Sequence, residues 1–138
     1  MKRVYLDSNV FISLDNNEIG RKLRGLFIEA ESFFEQVKKK NSVLVLSKLF
    51  FSEVQKKCHS NKEEVLHHFK NSGIKTEVIE KIEELNLKQF ENKGIHYPDS
   101  VHAAIAIKYN CDCIVTFNIK DFENIKDLIE VLEPLEFM

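Results

Sequence analysis

Asp7, Glu53, Asp99 and Asp121 stand where apolar segments end or where a helix should turn its buried face. Asp7 closes Val4-Tyr5-Leu6, and Glu53 interrupts Leu49-Phe50-Phe51 and Val54. Asp99 follows Pro98 and opens the run from Val101 to Ile107; Asp121 follows Ile114 to Asn118 after a short gap. A carboxylate beside buried surface is costly unless it is protonated, paired or bound to a cation. Four of them, with no obvious cationic partner beside each, point to a divalent-metal pocket and hence to phosphoryl chemistry. Mg²⁺ takes oxygen ligands and keeps several waters, so three or four carboxylates leave room for a phosphate. In two-metal sites one ion activates water and the other stabilises the leaving oxygen. Such a site needs no covalent nucleophile, and the chain contains neither a nucleophile elbow nor a phosphate-cradling Gly-rich loop.

Each acid also has a plainer reading. Asp7 fits a cap on the helix after the first strand. Asp99 fits an N-cap or a charge favoured by the helix dipole. Asp121 fits an ordinary turn in Asn118-Ile119-Lys120-Asp121. Glu53 lies three residues after Phe50 and four after Leu49, beside the face that should turn inward; a salt bridge to a Lys is its competing explanation. The plain readings must all hold independently, whereas one metal pocket explains all four.

The elements that must position these acids are legible from periodicity. Residues 2–6, 42–46 and 111–116 read as short buried strands, with a weaker fourth at 129–132. Ser8-Asn9 can cap a short helix from Val10 to about Leu14. From 20 to 39, Leu23, Leu26, Phe27, Ala30, Phe33, Phe34 and Val37 recur at helical steps. Ser47 can cap a helix running to about Cys58, a helix at 62–70 follows, and Asn71-Ser72-Gly73 is a turn. Val78, Ile79, Ile82, Leu85 and Phe90 predict a helix over 76–92, stopped by Gly94. Pro98 and Asp99 open another to about Tyr109. Apolar strands separated by long helices predict an α/β fold of three layers, α/β/α, around a mainly parallel sheet of four to five strands. In such folds ligands collect beyond the carboxyl ends of the strands, the edge these acids share.

At 138 residues the expectation is one domain, 1–138, and 43% apolar with 30% charged residues suits an ordinary globular protein. A net charge of −2 gives no global sign of nucleic-acid binding, although 20–40 carry six Lys/Arg against three Glu, and 121–138 six acids against one Lys. Most of these charges read as solvated faces. Three cysteines (Cys58, Cys111, Cys113) lack a disulfide-scaffold spacing and suit a reducing compartment; Cys111 and Cys113 read as strand core rather than half a metal site. Asp7 ends the first apolar run too early for a signal peptide, and no stretch reaches the ~18 apolar residues of a membrane span. The expected location is the cytoplasm. Eleven Phe with no Trp mainly signal core.

The order and context of the acids resemble PIN domains. Asp7-Ser8-Asn9-Val10-Phe11-Ile12 is similar to the family's opening motif, and Asp99-Ser100-Val101-His102-Ala103-Ala104-Ile105-Ala106 to its third-acid helix. Glu53 in Ser47 to Val54 fits the second acid, and Ile114 to Phe122 fits the strand and loop carrying Thr-x-Asn/Asp and a terminal Asp-Phe. The resemblance covers essentially the whole chain. It implies an Mg²⁺- or Mn²⁺-dependent endoribonuclease like the VapC toxins of prokaryotic toxin–antitoxin pairs. Asp7, Glu53 and Asp99 would then bind metal, with Asp121 preferred over Asn118 as the fourth ligand. Thr116 and Asn9 would orient the acids. RNA would be the substrate, a small antitoxin the partner, and a homodimer the assembly. Arg21, Lys22 and Arg24, or Lys48, Lys56 and Lys57, would line one approach to the pocket. His102 reads as a half-buried packing residue, with leaving-group protonation as its alternative.

Two other functions compete. A catalytically silent module of the same fold would use the acids for stability and dock a protein or RNA. An aspartyl-phosphate enzyme or receiver also places an Asp at a strand end, but Asp7-Ser8-Asn9 lacks the second Asp that phosphatases use, and no combination of paired early acids with a late Lys suggests a receiver.

Overall fold

The computed structural model describes residues 2–15, 25–81 and 85–137. Five parallel strands form one sheet: β1 (Arg3–Leu6), β2 (Val43–Ser47), β3 (Lys75–Ile79), β4 (Cys113–Val115) and β5 (Glu130–Leu132), in the order β3-β2-β1-β4-β5. Helices α1 (Ser8–Asp15) and α2 (Leu26–Lys39) lie between β1 and β2, and α3 (Lys48–Cys58) and α4 (Lys62–Asn71) between β2 and β3. The short α5 (Lys88–Glu91) and α6 (Asp99–Lys108) lead to β4, and 3-10 helices cover Ile119–Ile125 and Pro134–Glu136. The chain builds outward from β1 to β3, then returns to the other side of β1. Strand order therefore reverses between β1 and β4, which pair with Tyr5 opposite Ile114 and Leu6 opposite Val115.

Alternation along the strands creates the three layers. Val4 and Leu6 face a Phe-rich core with Phe33, Phe50 and Phe69. Tyr5, Val45 and Ile114 face the other core, with Ala103, Ile105 and Phe122. Both faces of the sheet are covered, as an all-parallel sheet requires. Phe33 and Phe34 of α2 are buried, so the aromatic stripe on this helix is core. Every residue of α6 from Ser100 to Ala106 is buried, which is why its sequence shows no polar face.

The expected helix over 76–92 is not formed. Residues Lys75–Ile79 pair with β2 from Val43 opposite Lys75 to Ser47 opposite Ile79, and among the described residues of the span helix appears only at Lys88–Glu91. Thr76, Val78 and Ile79 are β-branched, and pairing with β2 outweighs their helical spacing. β3 is an edge strand, and an Arg3–Glu77 ion pair ties it to β1. Ile82, assigned to the same helix, lies outside the described residues, as do residues 20–24 of the first long helix; the described part begins at Leu26. The turn before β3 has Gly73 at φ +75°, a conformation that a side chain would strain.

Ser47 ends β2 and caps α3, its hydroxyl accepting the Phe50 N–H at 3.2 Å. The same buried hydroxyl meets Tyr5 Oη at 2.8 Å, so strand end and helix start are fixed together. Ser47→Ala is expected to lower stability by about 1–2 kcal/mol in urea titrations, the upper range for a lost cap.

Candidate metal centre

The strand-order reversal between β1 and β4 opens a crevice at the carboxyl edge of the sheet, the usual ligand position in open α/β sheets. Asp7 sits in it. Its backbone N–H extends the ladder to Val115 O at 3.1 Å, and its carboxylate accepts the Thr116 hydroxyl at 2.8 Å. Helix α1 begins at Ser8, so Asp7 takes the cap position expected of Ser8-Asn9; its second oxygen accepts the Asn9 N–H at 3.4 Å. Asn9 spans the crevice, donating to Thr116 Oγ1 at 3.2 Å and accepting the Phe117 N–H at 3.3 Å. The Asn118 N–H also reaches Thr116 Oγ1, at 3.0 Å. Thr116 thus donates once and accepts twice, the full capacity of a hydroxyl. Its orientation, and through it that of Asp7, is fully determined.

Glu53 projects from α3. Its Oε1 accepts from Ser8 Oγ and faces His102 Nε2, both at 2.8 Å; its other oxygen has no hydrogen bond among the described residues. His102 is not a half-buried packing residue. It is 1% exposed, and its Nδ1 lies 2.5 Å from Tyr5 Oη, which continues to Ser47. Burial opposes a charge on this ring, but the Glu53 hydrogen bond and the nearby Asp7, Glu53 and Asp99 charges outweigh it and raise its pKa. Burial likewise pushes Glu53 up, yet His102, Ser8 and Lys56 hold its carboxyl below the usual range. Both directions favour an imidazolium–carboxylate pair. With both ring nitrogens donating, Tyr5 accepts from His102 and can pass its own hydrogen to Ser47.

Asp99 opens α6 at the mouth of the crevice. Its carboxyl is pushed up to about 6, first by burial and then by the charges of Asp7 and Asp121. Asp7 is raised as well, chiefly by burial, which outweighs His102 and Thr116. Among the described residues no Lys or Arg forms an ion pair with Asp7, Glu53, Asp99 or Asp121. Asp121 lies on the exposed surface of the 3-10 helix over Ile119–Ile125, near enough for its charge to act on Asp99; Asn118, just before that helix, is also exposed.

Ligand atoms of Asp7, Glu53 and His102 lie within 4.8 Å of one another, a spacing that could hold a cation. His102 already spends Nε2 on Glu53, so within this group the accessible donors are the oxygens of Asp7 and Glu53; Asp99 is outside the group and acts on it through its charge. An all-oxygen, carboxylate-rich set suits a hard divalent ion. The raised Asp99 carboxyl, with no hydrogen bond among the described residues, is the group most in need of one.

Tyr5, Ser47, Ser8 and His102 had no assigned part in this network. A hydroxyl in an otherwise apolar strand needs a buried partner, and Tyr5 carried that signal. Nothing local identified His102 as the partner.

A parallel three-layer fold with convergent carboxylates at its strand-order reversal defines a class of α/β protein suited to cation-assisted chemistry. The family model for the PIN domain matches residues 4–128, and the chain belongs to that family. PIN domains are generally metal-dependent nucleases, so membership suggests nuclease activity. No curated protein matches the chain. Among the described residues no helix is long and apolar enough to cross a membrane.

Proposed function

We propose that this protein is an Mg²⁺- or Mn²⁺-dependent endoribonuclease. The supporting observation is the half-buried Asp99 carboxyl, raised to about 6 beside Asp7 and Asp121 with no cationic side chain paired to it among the described residues. Asp7, Glu53 and Asp99 would hold the cation, with Asp121 reaching it from the rim. When bound, the cation supplies a water of lowered pKa and positive charge for the phosphate oxygens. Thr116 and Asn9 orient Asp7, while Ser8 and His102 fix one oxygen of Glu53 and leave the other without a hydrogen bond among the described residues. Preset oxygens need little rearrangement when the charged substrate arrives.

The test is cleavage of a labelled single-stranded oligoribonucleotide with Mg²⁺, with Mn²⁺ and with EDTA, alongside calorimetric metal titration. Cleavage that starts with either ion and stops with EDTA is expected. Neither cleavage nor metal uptake near millimolar concentration would replace this reading with the silent docking module. One observation favours that second reading: Glu53 already has a cationic partner in His102.

Within the nuclease reading, we place the protein as the toxin of a toxin–antitoxin pair, acting on RNA as a homodimer in the cytoplasm. Ile28 on α2, 60% exposed, is available to an interface. A short DNA-binding protein encoded immediately upstream, co-purifying with this chain and suppressing cleavage, is the expected finding.

A further inference from the structure

Beside Glu53 a groove of about 280 Å³ opens between α1, α3 and the segment preceding Asp99. Helix α3 contributes Leu49, Glu53, Lys56 and Lys57, at steps that place them along one face. Helix α1 contributes Ser8 and Ile12, one turn apart. Tyr97 and Pro98 complete the lining, immediately before Asp99. The groove therefore starts at Glu53, has apolar lining in Ile12 and Leu49, and reaches two lysines.

Two features of the lining are only partly explained by the fold, since Lys56 also acts through its charge on Glu53. Tyr97 is 71% exposed, so its ring contributes little to the core. Lys56 and Lys57 are exposed, and among the described residues neither is paired with an acid. Their position in the last turn of α3 favours them through the helix dipole, but that does not account for an exposed aromatic ring lining the same groove. An aromatic ring, two unpaired cations and an apolar lining match one ligand chemistry well: a base that stacks, joined to a phosphate that needs positive charge.

We propose that this groove is a subsite for one nucleotide of single-stranded RNA flanking the bond to be cut, with its base stacked on Tyr97 and its phosphate met by Lys56 and Lys57. The proposal rests on the nuclease reading above and gives it a strand direction: the RNA enters over α3 and passes Glu53 before reaching Asp99. Stacking tolerates any base, so the subsite supplies affinity and register rather than sequence choice.

The experiment is fluorescence anisotropy with a labelled single-stranded oligoribonucleotide and the full chain carrying Asp99→Asn, so that RNA is not consumed. Tyr97→Ala is expected to weaken binding about tenfold and Tyr97→Phe to restore it. Lys56→Gln with Lys57→Gln should lower the slope of log affinity against log salt by about 0.7, one phosphate charge on a single strand. All three positions are exposed, and thermal unfolding of each variant should match its parent. Tyr97→Ala and the double lysine variant binding like their parent, with unchanged salt slope, would leave the groove to a protein partner and overturn the proposal. RNA cleavage by the chain with Asp99 intact, together with that result, sinks the subsite alone. Loss of binding through Tyr97 in a protein that cleaves no RNA with either ion supports the subsite and sinks the nuclease reading.

Discussion

Asp99→Asn should abolish metal-dependent RNA cleavage and at the same time make the metal-free protein more stable above neutral pH. The loss should exceed about a hundredfold, the scale reached when a residue that merely supports a metal ligand is changed. The gain in stability follows from the direction of the Asp99 shift. Its carboxyl is raised from 3.8 to about 6 by burial and by Asp7 and Asp121, so the folded protein holds this proton more tightly than the unfolded chain. Stability therefore falls as pH rises between those values and stays reduced above them. In a dry site that rise would correspond to about 3 kcal/mol. Asp99 is only half-buried, and solvent screening brings the expected gain to about 1 kcal/mol. Urea titrations in EDTA should show Asp99→Asn more stable than the parent at pH 8 and indistinguishable from it at about pH 3, below the ordinary value of 3.8, where the acid is largely protonated in both states. Adding Mg²⁺ or Mn²⁺ should reverse the ranking, because only the parent gains the binding energy, about 2.7 kcal/mol at a hundred times the dissociation constant. A variant less stable than the parent at pH 8 in EDTA would show that Asp99 is a helix-start residue and no more.

The acids behind that expectation are legible in the amino-acid sequence, and the reason is local. Asp7, Glu53 and Asp99 each break an apolar pattern within a few residues, and the chain order of strands and helices places all three at one sheet edge. The same kind of local signal marks β1, β2 and β4, the Ser47 cap and the turn at Gly73. What stays hidden depends on partners far along the chain. β3 alternates Lys75, Thr76, Glu77 and Val78 in a pattern that also suits an amphipathic helix, and only its pairing with β2 selects a strand. His102 sits in a helix buried on all sides, so no polar face signals it. Its partners Tyr5 and Glu53 are 97 and 49 residues away. The fourth acid illustrates a middle case. Asp121 belongs to the same motif as Thr116 and Asn118, but Thr116 is buried in the crevice while Asp121 and Asn118 lie at its exposed rim. The basic residues Arg21, Lys22 and Arg24, expected along one approach, lie outside the described residues; Lys56 and Lys57 line the groove beside Glu53.

His102→Leu should be the most destabilising change near the crevice, costing about 3 kcal/mol in EDTA near pH 6. Breaking a buried ion pair by removing one partner typically costs about 3–5 kcal/mol, because the remaining charge is stranded. Glu53 is only partly buried and can recover some hydration, which places the expectation at the low end. The pH dependence identifies the pair. The His102 pKa is raised in the folded protein, so its contribution is complete below the ordinary histidine value of 6.5 and is lost as pH rises through the folded value. The Glu53 pKa is lowered, so its contribution is complete above 4.5 and is lost as pH falls through its folded value. The penalty for His102→Leu should therefore be largest between about pH 4.5 and 6.5 and shrink on either side. Tyr5→Phe removes one hydroxyl from the same chain and should cost about 1–2 kcal/mol, since His102 Nδ1 and Ser47 each lose a partner. The two substitutions should not add. In the His102→Leu background Tyr5 still reaches Ser47 but has nothing to receive from Nδ1, so the double-mutant cycle should return a coupling of about 1 kcal/mol. Additivity, or a His102→Leu penalty that does not vary with pH, would mean that the imidazole fills space beside Glu53 without charging it. Coupling with the expected pH profile would mean that Glu53 is held for its task by a buried relay reaching back to the first strand and the Ser47 helix cap.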